Sequence, residues 1–330
     1  MSDAQLDAPV VLIIFNRPDH TRAVFEVVAA ARPKQLFVIA DGPRPDYPTD
    51  ASRCATARLI ATRVDWQCKL HTHFSEQNLG CARRISSGLD WVFAHVDRAI
   101  ILEDDCVPDL SFFRFCAELL KAYENDNRIR TIAGSNFLYG MTRHSWSYHF
   151  SKFHLTWGWA TWRRSWEGTD MAMRRWPEVR DSGWLVDILN DKKLARFWVP
   201  RYNKMHDGRI RSWAGPYQFS CWLDNALSIT PNWNLVSNVG AGQDATHTRY
   251  NAKFLCQPTQ AMPFPLAHPS FVVRDLVSDR ATFNNRFLAE RPQWLRRATR
   301  RVYHSLTGRD SLLPIRQGGR LLERALVSEP

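Results

Sequence analysis

Ala99-Ile100-Ile101-Leu102-Glu103-Asp104-Asp105 is the stretch on which the reading of this chain turns. Four apolar residues following Asp97-Arg98 read as a strand buried in an α/β sheet. The three acids then stand where that strand leaves the sheet, the edge at which open α/β folds bind ligands. Adjacent carboxylates repel one another and are costly to desolvate. A divalent cation with oxygen ligands offsets that charge and leaves room for substrate phosphates. The plainer alternative is a solvated acidic turn, with Asp109 capping the helix that follows.

Working outward, strand-like and helix-like segments alternate on the N-terminal side. Val10 to Phe15 and Leu36 to Ala40 read as strands, Leu70 to Phe74 as a weaker one, and Thr131 to Ala133 as one more. Between them, helices are expected from Asn16-Arg17-Pro18-Asp19 to about Ala31, from Thr49 or Asp50 to about Val64, and from Gly80 to His95. Phe112, Phe113, Phe115, Leu119, Leu120 and Tyr123 recur at helical spacing. The alternation predicts a mostly parallel, Rossmann-like sheet wrapped by helices. From about Phe137 tryptophans accumulate, and a helical, loop-rich region packed on the edge of the same sheet is expected. Arg291, Arg296, Arg297, Arg300 and Arg301, then leucines interleaved with Arg316, Arg320 and Arg324, read as a basic amphipathic tail suited to an anionic membrane surface. The divisions are therefore 1–140, 141–270 and 271–330.

Bulk properties agree with a folded enzyme-sized chain. It has 330 residues, 45% hydrophobic and 23% charged, with a formal net charge of +11. That balance favours anionic partners without choosing among them. Seven cysteines, an odd number with no CxxC pair, suggest neither a disulfide framework nor a zinc knuckle, and free thiols fit a reducing compartment. With no basic N-terminal region and no long apolar run, the expected location is cytoplasmic, with the tail able to sit on the inner face of a membrane.

Three further loops leave strand ends and carry usable groups: Asn16-Arg17, Asp41-Gly42, and Asn78-Leu79-Gly80-Cys81-Ala82-Arg83-Arg84. The last opens a helix, whose N-terminus attracts phosphate, and Arg83 or Arg84 can add a fork of donors. Asp41 can accept a hydrogen bond from a base or ribose. Asn16 and Asp41 are also ordinary turn residues, and Arg83 can simply face solvent.

The order Phe15-Asn16-Arg17-Pro18, Ala40-Asp41-Gly42, Asn78-Leu79-Gly80 and Ile101-Leu102-Glu103-Asp104-Asp105-Cys106-Val107-Pro108 resembles the GT-A glycosyltransferases. It is similar to N-acetylglucosaminyltransferase I and its bacterial sugar-transferase relatives. Trp157-Gly158-Trp159-Ala160-Thr161-Trp162, Asn234 to Gly240 and Asp244-Ala245-Thr246-His247-Thr248 look like the bacterial branch. The likeness covers roughly residues 9 to 250 and stops before the basic tail.

The resemblance implies a transfer from a nucleotide diphosphate sugar to a glycan or lipid-linked acceptor in bacterial surface polysaccharide synthesis. Arg17 and Asp41 would contact the nucleotide, Glu103 and Asp104 the ribose and donor sugar. Asp105 would bind Mn2+ or Mg2+, and His247 can complete that metal shell. The acceptor's proton needs a base. Where relatives carry an acid after a tryptophan, this chain has Trp213-Ala214, so Asp207, Asp224 and Asp244 are the candidates, with Asp224 preferred. Trp157 and Trp159 can stack on an acceptor sugar, although core packing explains them as well. The competing reading is a protein of the same fold that holds a sugar nucleotide without turning it over. No nucleic-acid module is recognisable.

Overall fold

The computed structural model describes residues 5–240 and 254–290, with the two-residue strand Arg316–Gln317. Strands run β1 (Val10–Ile14), β2 (Gln35–Ala40), β3 (Lys69–Phe74), β4 (Arg98–Glu103), β5 (Cys106–Pro108), β6 (Ile129–Ala133), β7 (Met141–Thr142), β8 (Tyr148–Ser151), β9 (Trp159–Trp162), β10 (Leu227–Pro231), β11 (Val236–Asn238) and β12 (Arg316–Gln317). The main helices are α1 (Pro18–Ala31), α2 (Asp50–Ala61), α3 (Cys81–Phe93), α4 (Ser111–Ala122), α5 (Arg163–Trp166), α6 (Trp176–Asp181), α7 (Trp184–Leu189), α8 (Lys192–His206), α9 (Ala214–Leu223) and α10 (Leu276–Thr282).

Eight strands form one sheet in the order β3-β2-β1-β4-β9-β6-β10-β8. β9 runs antiparallel to both of its neighbours and β8 antiparallel to β10. The other six strands point the same way, so the expected mostly parallel α/β sheet flanked by helices is the one observed. Chain order reverses between β1 and β4, where ligands of open α/β sheets gather.

The sheet forms because its strands bury both faces. On β1 the period of two sends Val10, Leu12 and Ile14 into the core under α1, α2 and α4. Val11 and Ile13 go the other way, into the core under α3 and α9. A third apolar cluster holds Trp176, Trp198, Tyr202, Phe219 and Trp222 between the helices of the second half. Pro18 opens α1 at its first position, as its sequence suggests.

The second half differs from expectation in one respect. It contributes three strands to the sheet, and Trp159-Ala160-Thr161-Trp162 lies in the middle as β9, paired with β4 and β6. Trp159 is 1% exposed and packs on Trp213 with ring centroids 5.5 Å apart, so it is a core residue and cannot stack on an acceptor. Trp166, Trp176 and Trp222 are buried too.

Close backbone approach sets the last piece. The Gly134 N–H donates to Gly158 O at 2.7 Å, and a Cβ on Gly134 would stand 2.4 Å from Val236 Cγ2. Only glycine lets β11 lie so close over the exit of β6 and the start of β9. β11 pairs antiparallel with β5 and thereby carries Asn238 back over the acids.

Candidate active site

Asp104 and Asp105 form the turn between β4 and β5. Glu103 ends β4 in register with Ile13 of β1. By the strand period it shares a face with Ile101, which packs in the core under α3. Asp104 is turned toward the first helix, where the Phe15 N–H donates to its Oδ2 at 3.2 Å. Arg17 lies against this turn. Its guanidinium pairs with Asp104 and reaches Asp105 Oδ2 at 3.0 Å. Asp104 is 2% exposed, so this is a largely buried ion pair.

The three acids are therefore unequal. Asp104 is sealed behind Arg17. Asp105 Oδ1 accepts from Asn238 Nδ2 at 3.3 Å, and Gly240 packs against its carboxylate so closely that a Cβ there would be 2.2 Å from Oδ2. Glu103 has no hydrogen-bond or ion-pair partner among the described residues. Loss of solvent first, then the charges of Asp105 and Asp104, push its carboxyl up to about 8 against the opposing pull of Arg17. The Cys81 thiol, at the start of α3, is also raised, first by partial loss of solvent around the sulfur and then by Glu103, Asp105 and Asp104, although the residue as a whole is exposed. One arginine faces three acids, and the shortfall of positive charge falls on Glu103 and Asp105.

That shortfall tests whether a hard cation fits. The oxygen donors are of the right kind, and a positive charge beside Glu103 would offset the lost solvent and the neighbouring carboxylates that raise its carboxyl. Among the described residues no three His, Cys, Asp or Glu side chains form a ready metal-binding group. A cation here would take its remaining ligands from substrate and water, as Mg2+ and Mn2+ do with phosphates.

The other expected residues divide in two. Asp41, 5% exposed, spends its carboxylate on the protein. It accepts from the N–H groups of Gly42, Leu79 and Gly80, each at 2.9 Å, and from Asn78 Nδ2 at 3.2 Å. It fixes the 78–80 loop that begins α3. Asn16 is likewise tied inward: its Nδ2 donates to Asp50 Oδ1 at 2.6 Å, joining the exit of β1 to the start of α2. Arg84 is buried and donates to His73 O at 2.5 Å, which removes it from the site. Arg83 is exposed on the first turn of α3 with no partner among the described residues.

Removing the Asp41 carboxylate should open the loop without unfolding the sheet. Asp41→Ala leaves the Leu79 and Gly80 amides without acceptors, at about 1–3 kcal/mol each. Hydrogen exchange at those two amides is expected to speed up by roughly a hundredfold. Unchanged rates would mean that the loop is held by something other than Asp41.

Asp224 does not join the site. It follows α9, 49% exposed at its side chain, and pairs with Arg130 at 2.5 Å. Arg130 lies near the entry of β6, whereas the acids lie at the strand exits. A strand of this length puts about 15 Å between the two edges. The sheet order explains the misplacement: α9 starts beside Trp159 at the exit edge and runs down to the entry edge. Asp207 is at the surface with Arg209, 2.5 Å away. Ala214 begins α9, and no acid stands there. Asp244 and His247 lie outside the described residues, as does the basic tail apart from Arg316–Gln317. Asp109 accepts from the Ser111 N–H at 2.9 Å just ahead of α4, while Leu110 holds the cap position.

Sequence reasoning passed over several contributors. Asn238 and Gly240 reach Asp105 only because of the β5–β11 ribbon. Arg44 is paired with Asp50 at 2.6 Å and lies 3.6 Å over the Tyr47 ring and 5.4 Å over Phe15, at the exit of β1. Clefts of about 550 Å3, by Asp90 and Trp166, and about 740 Å3, by Gln35 and Arg98, lie toward the entry edge and do not touch the acids.

All seven cysteines are free, and among the described residues no helix is long and apolar enough to cross a membrane. No family model matches the chain, and curated proteins give no match. Two solved structures are similar in part. A mannosyltransferase from Pyrobaculum calidifontis, PcManGT, in complex with GDP-Man and Mn2+, has 12% identity and a TM-score of 0.33. The match covers 50% of this chain and 47% of that one, so the chain spans about half the length of that relative. A UDP-glucose pyrophosphorylase complexed with UDP-glucose has 9% identity and a TM-score of 0.26, covering 44% of this chain and 62% of that one.

Proposed function

We propose that this chain is a metal-dependent glycosyltransferase. It moves a sugar from a nucleotide diphosphate donor to a glycan or lipid-linked acceptor, in bacterial surface polysaccharide synthesis. The observation that carries the reading is the under-compensated acid turn at the exit of β4. Glu103 and Asp105 face the edge, while Arg17 holds Asp104 beneath them. Asp105, with Glu103, would hold Mn2+ or Mg2+, which supplies positive charge against the diphosphate leaving group.

The chain's own residues do the rest. The first turn of α3 presents unpaired amides and Arg83 to an anion, and Asp41 locks the turn that aims them. Arg17 opposes the rise that burial imposes on the Asp104 carboxyl and holds the acid turn in place. Asn238 orients the Asp105 carboxylate from the opposite side.

A second reading is favoured by one specific observation: no described carboxylate stands where an acceptor base is needed, since Ala214 begins α9 and Asp224 is at the far edge. On that reading the protein binds a sugar nucleotide without turnover. Thermal-shift measurements with uridine, guanosine, cytidine and thymidine diphosphate sugars, with and without Mn2+, test the main proposal. A stabilisation requiring both nucleotide and metal is expected, with slow donor hydrolysis. Joint stabilisation without hydrolysis on any donor would select the second reading, and no joint stabilisation would reject both.

A further inference from the structure

Helix α8 carries a line of positive charge that donor binding does not use. Lys192, Lys193, Arg196 and Lys204 are exposed, and the sequence from Lys192 to His206 contains no acid. Lys192, Arg196 and Lys204 are spaced by multiples of four, so they share one face and span about 18 Å along the axis. The opposite face is fixed in place. Leu194, Phe197, Trp198 and Tyr202 are buried in the tryptophan-rich core.

This charge is uncompensated within the described residues. The side chains of Lys192, Arg196 and Lys204 have no acidic partner there. The acids at the two ends of the helix are committed elsewhere. Asp191 caps α8, accepting from the Lys193 and Leu194 N–H groups at 2.8 and 3.2 Å, and pairs with Arg280 at 3.4 Å. Asp207 pairs with Arg209 at 2.5 Å. Arg128, Arg174 and Arg180, also exposed, each lie beside an acid. The arrangement costs α8 stability, because lysines in a first turn oppose the helix dipole and Lys192 repels Arg196 one turn on. An anion outside the chain would offset both effects.

A second feature adjoins the line. Trp184 opens α7 and is 54% exposed, whereas Trp159, Trp176 and Trp222 are buried. Leu185 and Leu189 fix α7 on the same core, which holds the indole within about 20 Å of Lys192. An open indole has an apolar body and a polar N–H, and such rings settle where water meets lipid. The other end of the line reaches the exit edge of the sheet. Met205, next to Lys204, packs against Gly215 at the start of α9, where a Cβ would stand 2.3 Å from its Sδ.

We propose that the exposed face of α8, bordered by Trp184, docks the protein on an anionic lipid bilayer. Headgroup phosphates supply the missing counter-charge. The helix lies along the surface and does not insert, since its apolar face is already spent on the core. Binding is therefore electrostatic first and weakened by salt. Nucleic acid presents phosphates too, but an indole bordering a line of charge suits a lipid interface better. The surface needs neither donor nor metal, so it and the transferase reading can fail separately.

Sedimentation of the full chain with vesicles of phosphatidylcholine, with and without phosphatidylglycerol, tests the surface. Binding is expected only with phosphatidylglycerol, and to fall as salt rises. Lys192→Gln, Arg196→Gln and Lys204→Gln combined should weaken it by roughly a hundredfold. Trp184→Ala should weaken it while leaving the salt dependence unchanged, which keeps the test open if the triple variant misfolds. Both variants should retain the metal-dependent nucleotide stabilisation. Replacing Arg291, Arg296, Arg297, Arg300 and Arg301 by Gln in the full chain separates the tail, and binding that still depends on Lys192, Arg196 and Lys204 is expected there. Vesicle binding that the triple variant and Trp184→Ala both leave unchanged would overturn the proposal. So would DNA binding as tight as vesicle binding at the same salt and lost in the triple variant.

Discussion

Asp105→Asn is expected to remove the metal-dependent part of nucleotide binding and leave the fold intact. The substitution keeps side-chain volume beside Gly240, where there is no space to spare. Arg17 keeps its buried partner Asp104, so no charge is stranded by the change. What is lost is one of the two partly exposed carboxylates that meet the shortfall of positive charge. If a cation held there offsets charge on a departing diphosphate, turnover should fall by roughly a thousandfold, about 4 kcal/mol of transition-state stabilisation. The joint nucleotide–metal thermal shift should vanish, while the melting temperature without ligands stays within a degree or two. A joint shift that persists in Asp105→Asn would remove the metal from this turn.

The N-terminal half of the fold was legible because its strands are short, continuous apolar runs. β1, β2 and β4 are buried on both faces, and a parallel strand in that position has no polar side to show. β8 and β10 gave no such sign. They bury His149, Ser151, Ser228 and Thr230, polar residues whose place in a sheet follows from tertiary partners and not from local pattern. β9 was hidden for another reason. Its first tryptophan, Trp159, was open to reading as a ring platform beside Trp157 as well as to core packing, and the pairing with β4 and β6 places it in the core.

Legibility of the site followed the same division. Glu103, Asp104, Asp105 and Arg17 could be gathered from sequence because each follows directly on a readable strand. Their separate roles could not, since a buried Asp104 and an unpartnered Glu103 differ only by which side of β4 they leave. Asp41 shows the limit clearly. A short acid at a strand exit suits a ribose, yet its lone pairs already serve the loop before α3. Asp224 failed because a helix end has no fixed edge until the direction of its neighbouring strands is known. Asn238 reaches Asp105 across 133 residues of sequence, through a three-residue pairing too brief to read from side-chain pattern.

Replacing Arg17 by Met should be the most destabilising single change at this edge. The guanidinium is 16% exposed and Asp104 3% exposed at their side chains, so neither is well solvated. Truncating one partner of such a pair strands the other, at about 3–5 kcal/mol, because the remaining charge keeps its desolvation cost and loses its compensation. Here the effect is compounded: Asp104 would face Asp105 and Glu103 with no cation between them. Met fills the aliphatic part of the arginine, so little of the loss would come from packing. Chemical denaturation should show a drop of at least 3 kcal/mol in unfolding free energy. Arg17→Met combined with Asp104→Asn should recover most of it, because the stranded charge is gone. Divalent cation should raise the stability of Arg17→Met more than that of the unaltered chain, since it would then be the sole counter-charge in the turn. A single-variant loss under about 1 kcal/mol, or a double variant no better than the single, would show that Arg17 is a surface contact and that the acids are solvated as a plain turn.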